Sequence, residues 1–259
     1  MSTRNLAPAV LLALFLAFPA LGQPAGDVAV INTHTPKQGM GEKYEAARKK
    51  HMAWHKAQKD TWTWFTWEVV SGEGSGSYYT ASFGHAWKDF DAQEKFQKAD
   101  DADFAKGIGP TLGRSFTSYY VRRADLSLTP PSATPPNPYS FLTFFLLKPE
   151  GVNDFQETVK KINEGIKKTN WKQPGPSAWY QLVNGGEGPM YVLAGGRDNW
   201  AAFAPNEKNL DQMLEEAFGK EQGAAILAKG RNAIRSSRTE TIQYRPDLSY
   251  VPAPQTATR

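Results

Sequence analysis

VAVINTHTP (residues 28–36) and FLTFFLLKP (residues 141–149) decide the fold, because each is a short apolar β-rich run closed by a proline. Each run leads into a charged amphipathic stretch, then a glycine-rich hairpin, SGEGSGSYYT (71–80) in one case and NGGEGPMYVL (184–193) in the other. Each then reaches a tryptophan with a phenylalanine three residues on: Trp87 with Phe90, and Trp200 with Phe203. Both stretches close on nearly the same words, Ala124-Asp125-Leu126-Ser127 and Pro246-Asp247-Leu248-Ser249. The chain therefore reads as two copies of one unit of about a hundred residues, a size that buries a modest core.

Within the first copy, residues 27–35 alternate as a strand does. Over 39–59, a period of 3.6 puts Tyr44, Ala47, His51, Trp54, His55 and Gln58 on one helical face. Residues 62–70 read as a second strand and 78–84 as a third. Asp89 is placed to cap a second helix, and 115–123 reads as a fourth strand. The second copy repeats this β-α-β-β-α-β order, with an additional helical piece over 223–234. That order is the split-βαβ, ferredoxin-like arrangement, a four-stranded antiparallel sheet with helices on one face. The strands are apolar at both parities: Trp62, Trp64 and Val70 lie on one side of the second, Phe65, Trp67 and Val69 on the other. A sheet with one wet face alternates more cleanly. The expectation is two ferredoxin-like units packed sheet to sheet, helices outside, as a pseudo-dimeric α+β barrel.

Residues 1–22 carry a signal peptide pattern: Arg4, the apolar run Val10–Phe18, then small residues at Ala20 and Gly22. The run is too short to span a bilayer. The expectation is a periplasmic or secreted protein with no stable membrane insertion once the signal is removed. The domain reading is signal peptide 1–22, unit one 23–127, a proline-rich linker 128–139, unit two 140–249 and a flexible tail 250–259. The absence of cysteine excludes disulfides and thiolate catalysis. A net charge of +4, with basic and acidic residues interspersed, argues against a nucleic-acid surface.

The opening from Thr35 to Glu42, strand-Pro-x-x-Gly-helix, and the Trp-Lys-Asp-Phe step within Tyr79–Phe96 resemble the dimeric α+β barrel superfamily. The pattern is similar to its antibiotic-biosynthesis-monooxygenase-like and NIPSNAP-like families, here as a fused tandem. Fusion would satisfy the superfamily's dimer internally, so a monomer or weak dimer is expected. The resemblance implies fold more than activity, since these families include cofactor-independent monooxygenases and haem proteins. Asn32 and Trp87 match two positions used by haem-degrading members. Their third, a histidine on the second helix, is replaced by Asp100, Asp101 and Asp103. Chlorite-degrading relatives carry their axial histidine in the second unit, where this chain has none.

The two copies differ in chemistry at matched positions. Aligning the prolines sets Asn32 against Phe145 and His34 against Leu147. Aligning Tyr44 with Phe155 sets Arg48 against Val159, His51 against Ile162 and His55 against Ile166. A buried apolar side chain stabilises by roughly 1.5–3 kcal/mol, whereas a buried polar group without a partner costs roughly 2–7 kcal/mol. The polar set therefore implies a cavity in unit one that takes a small organic ligand. Asn32, His34, His51 and His55 would supply hydrogen bonds or a proton acceptor, with His51 and His55 as catalytic candidates. Trp54, Trp67 and Trp87 would give walls. The reading requires no cofactor and assigns no metal. The i, i+4 spacing of His51 and His55 also suits two ligands of one ion, with His34, Glu68 or an aspartate as third, and it equally suits histidines bonded to neighbouring carbonyls. A monooxygenase-like enzyme is the leading expectation; a non-catalytic binding or scaffold protein and a haem-binding protein are the alternatives.

Overall fold

A computed structural model describes residues 26–129, 135–173 and 175–253. The signal peptide reading, much of the proline-rich linker and the last residues of the tail lie outside them. The first half runs β1 (Val28–Pro36), α1 (Gly41–Ala57), β2 (Phe65–Ser71), β3 (Tyr78–His85), α2 (Trp87–Gly107) and β4 (Leu112–Arg122). The second runs β5 (Tyr139–Leu147), α3 (Val152–Thr169), β6 (Ser177–Asn184), β7 (Met190–Arg197), α4 (Leu210–Phe218), α5 (Lys220–Ala233) and β8 (Ile234–Tyr244).

All eight strands pair antiparallel in the closed order β1-β3-β2-β8-β5-β7-β6-β4. Each half contributes the same internal order, its first strand lying between its third and its last. The halves join through β2–β8, where Trp67 pairs with Tyr244, and through β4–β6, where Tyr120 pairs with Leu182. The expected α+β barrel is present, with one difference: its two sheets are not merely packed face to face but continuous at both edges. Hydrogen bonding across those edges removes the unpaired strand groups that two separate sheets would expose.

Closure explains why the strands are apolar at both parities. One parity fills the barrel: Ala29, Ile31, Phe65, Trp67, Val69, Tyr79, Ala81, Tyr120, Leu142, Phe144, Val192 and Ile242 form a connected interior. Glu240 enters it 4% exposed, accepting a hydrogen bond from the Tyr79 hydroxyl at 2.6 Å. The other parity meets the helices. In the second half that contact is dry, with Leu147, Phe145, Phe155, Val159 and Tyr191 packed together, and Ile162 and Ile166 covered by Met213 and Leu214 of α4. In the first half the same side of β1 presents Val28, Val30, Asn32 and His34 to α1 and α2.

Some boundaries differ from the sequence reading. The second strand starts at Phe65 rather than Trp62, because Trp64 instead makes a two-residue bridge with Tyr250, N–H to O at 2.8 Å both ways. Tyr250, placed by sequence in a loose tail, is consequently buried. The second helix begins at Trp87; Asp89 does not precede it but sits in its first turn, accepting from the Ala86 amide at 2.7 Å.

Leu147 is fully buried in the dry contact of the second half. Leu147→Ala should lower stability by about 2–5 kcal/mol, read as a shift in the urea midpoint at constant slope.

Candidate functional site

Strand register lays the floor. Asn32 lies between Thr80 of β3 and Thr117 of β4, and His34 between Tyr78 and Ser115. Helix α1 crosses above with Arg48, His51 and His55 at i, i+3 and i+7, a spacing that puts all three on one face. All three are buried, at 3%, 4% and 1% exposure. Helix α2 supplies Gln97, Asp100 and Phe104 at i, i+3 and i+7, with Asp101 and Asp103 beside them. Between these elements lies a cavity of about 140 Å³, reached by Asn32, His34, Arg48, His51, His55 and Asp100.

The histidines are held by carboxylates. His51 Nδ1 lies 2.7 Å from Asp103 Oδ2, and His55 Nδ1 lies 2.8 Å from Asp60 Oδ2. An ionised carboxylate only accepts, so each Nδ1 carries the proton. Asp60 reaches back to His55 because the chain turns at Lys59, whose φ of +55° is the left-handed conformation that a residue with a Cβ adopts at a cost of about 1 kcal/mol or more. Asp60 is fixed further by the Trp64 indole at 2.9 Å and the Trp62 amide at 3.0 Å. Burial alone would push the Asp60 carboxyl up; hydrogen bonds from His55, the Trp62 amide and Trp64 outweigh it and hold the group below the usual carboxylate range.

With Nδ1 protonated, a neutral imidazole presents a bare lone pair at Nε2. The two Nε2 atoms face each other at 3.2 Å. Asp100 Oδ1 lies 3.1 Å from His51 Nε2 and 3.4 Å from His55 Nε2, and this buried oxygen accepts no hydrogen bond. Three acceptors thus converge on one point. Atoms bound about 2.0–2.2 Å from a common ion at angles of about 90–109° are themselves roughly 2.9–3.5 Å apart. All three sides of the triangle fall in that range.

His34 lies on the cavity wall, its Nδ1 3.0 Å from the Tyr44 hydroxyl. Asn32 accepts from the Thr117 hydroxyl at 2.7 Å. Three of the tryptophan assignments need correction. Trp54 stacks on the far side of His51, with ring planes within 6°, and lies outside the cavity lining. Trp67 belongs to the barrel interior, across the sheet, as its shared parity with Phe65 and Val69 requires. Trp87 is 49% exposed, against Phe90 and Tyr119. The tryptophan that does line the cavity is Trp64. The sequence reading assigned no role to Asp60; it allowed a third ligand only as His34, Glu68 or an unspecified aspartate, and took Asp100 and Asp103 as the loss of a histidine. Their signal was the i, i+3 spacing of two acids on the face of α2 opposite the histidine face of α1.

No protein-family model and no curated protein matches the sequence. Solved structures do match in shape. An anthrone oxidase-like protein gives a TM-score of 0.55 at 16% identity over 90% of this chain and 96% of that one. A candidate monooxygenase from Fusobacterium nucleatum subsp. nucleatum ATCC 25586 gives 0.54 at 14% over 86% and 94%. A mutant chlorite dismutase from Candidatus Nitrospira defluvii, in complex with cyanide, gives 0.52 at 10% over 86% and 92%. The chain has the α+β barrel fold of monooxygenase-like and chlorite dismutase-like proteins. A haem does not fit these residues. The second half has no histidine and its helix-to-sheet space is filled by Phe145, Phe155 and Tyr191. The first-half cavity, at about 140 Å³, is well below the roughly 300–1,000 Å³ of pockets for drug-sized ligands.

Burial, with the positive charge of Arg48, lowers the His34 pKa from 6.5 to about 3. Since the unfolded chain binds this proton first, His34 contributes stability that is present above pH 6.5 and is lost as pH falls toward 3. His34→Gln should flatten the pH dependence of the urea midpoint in that window.

Proposed function

We propose that the protein holds one divalent transition-metal ion on His51 Nε2, His55 Nε2 and Asp100 Oδ1, and acts on a small organic molecule in the adjoining cavity as a monooxygenase-like enzyme. The observation that carries this reading is the buried triangle of His51 Nε2, His55 Nε2 and Asp100 Oδ1, with sides of 3.1, 3.2 and 3.4 Å; with both imidazoles neutral and protonated at Nδ1, none of the three carries a proton. Bare lone pairs held this close repel, and a cation at their centre turns that repulsion into attraction. The donor set suits zinc or iron(II), and two histidines with one carboxylate leave positions open for other ligands.

The chain's own residues do the positioning. Asp60 and Asp103 accept the Nδ1 protons, which fixes the ring tautomers and makes Nε2 the better donor. Tyr250 stacks on His55 with centroids 5.8 Å apart and donates to the Asp60 carbonyl at 2.8 Å, so the C-terminal bridge braces the site. Phe104 and Trp64 give the cavity apolar wall, and Asn32, Thr80, Ser115 and Thr117 give it hydrogen-bonding capacity. The choice of oxygen chemistry rests on the fold shared with the anthrone oxidase-like protein and the candidate monooxygenases. With this reading go export of the protein through residues 1–22 and its construction from two fused ferredoxin-like units. A binding protein without turnover is the second reading, favoured by the small size of the cavity.

Metal analysis of the purified full chain should find one divalent ion per molecule after loading and removal of excess. His51→Ala or His55→Ala should abolish retention, and Asp60→Asn should weaken affinity by about 10- to 100-fold. A loaded wild type no richer in metal than the His51→Ala/His55→Ala double variant contradicts the proposal.

A further inference from the structure

Arg48 is a buried cation that no carboxylate contacts directly, although Asp100 acts on it from a distance. It is 3% exposed, and its bonds are long: Nε to the Leu248 carbonyl at 3.3 Å and Nη2 to Thr66 Oγ1 at 3.4 Å. Among the described residues no carboxylate lies within ion-pair distance of it. The acids nearby are engaged elsewhere: Asp60 and Asp103 hold histidine protons, and Asp100 Oδ1 belongs to the acceptor triangle. Burial lowers the Arg48 pKa, as expected for a guanidinium short of compensation. Burying an ion unpaired is among the more expensive things a fold can do. The second half, which has Val159 at the matched position, shows that this helix-to-sheet contact packs without a charge.

Arg48 also lines the cavity, one and two turns along α1 from the two histidines. Across the floor, Asn32 uses its carbonyl oxygen to accept from Thr117, which leaves its amide hydrogens for another acceptor. The walls therefore offer a fixed positive charge, a planar donor fork and a side-chain amide. We infer that the molecule bound in this cavity is a small monocarboxylate, its carboxylate received by Arg48 and Asn32 beside the ion. Arginine suits this task because its fork matches the two oxygens of a carboxylate. The volume of about 140 Å³, below the roughly 300–1,000 Å³ of sites for drug-sized ligands, favours a small molecule. This inference rests on the reading of the cavity as a ligand site and extends it to a substrate class. The carboxylate contacts involve Arg48 and Asn32, so they can be examined with or without metal.

Titration calorimetry on the full chain with acetate, and with acetamide as the neutral analogue of the same shape, tests it. Wild type should bind acetate and bind acetamide at least tenfold more weakly. Arg48→Met should weaken acetate binding by about 10- to 100-fold, the loss of a charge-assisted hydrogen-bond donor, and Arg48→Lys should fall between. The urea midpoint of Arg48→Met should hold or rise, because a buried ion without a partner is removed; an Arg48 that merely braces the Leu248 carbonyl would lower it. Equal affinity for acetate and acetamide overturns the inference, as does wild-type acetate affinity in Arg48→Met. The wild-type pair of titrations decides the matter even where a variant does not fold. Cobalt(II) content is measured on the same samples. Cobalt bound without acetate preference defeats this inference alone, and acetate preference without cobalt defeats the metal reading alone.

Discussion

The hydrogen bonds that close the barrel at β2–β8 and β4–β6 govern where chemistry can be placed in this molecule. Closure commits one parity of every strand to an interior packed with Trp67, Tyr79, Phe144 and their neighbours. The remaining parity faces helices, and in the second half that layer is also filled. A polar cavity had to be opened by substitution on the outer face of β1 and beneath α1 and α2. Asn32, His34, Arg48, His51 and His55 are those substitutions. Each forgoes an apolar contact worth roughly 1.5–3 kcal/mol that its counterpart in the second half retains.

What compensates for them is electrostatic. Two carboxylates take the Nδ1 protons and so determine what the opposite edges of the rings present. With both rings neutral, the result is an arrangement that is unfavourable by itself: two bare nitrogens and a carboxylate oxygen in mutual contact inside the protein. A site of this kind is stable when a positive charge occupies it, and the proposed dication would do so with bond lengths that the observed spacings fit. The aromatic shell of Trp54, Trp64, Phe96 and Tyr250 around His55 keeps the rings in place.

The sequence carried most of the fold. Strand alternation and the 3.6-residue period of residues 39–59 gave the element order in both halves, because those patterns are set by local backbone geometry. Barrel closure was less legible: it depends on which edges meet, and a one-chain pattern records only that both faces of a strand are apolar. For the site, comparison of the halves led to His34, His51 and His55, since a histidine facing an isoleucine is a visible exchange. It missed Asp60, which sits just beyond the helix with no partner visible in the sequence, and Asp100, whose importance lies in a distance between two helices. The tryptophans misled for a simpler reason. Residue type says that an indole can line a pocket; parity and exposure decide whether it does, and they send Trp67 into the barrel and Trp87 toward solvent.

The account stands on the protonation of four nitrogens. Nitrogen-15 NMR of the His51 and His55 rings in protein loaded with zinc reports it directly. The account predicts a proton on both Nδ1 atoms, none on either Nε2, and both Nε2 resonances displaced on loading. A proton retained on either Nε2 at saturating zinc would mean that the two rings share a hydrogen bond instead of an ion, and would contradict it.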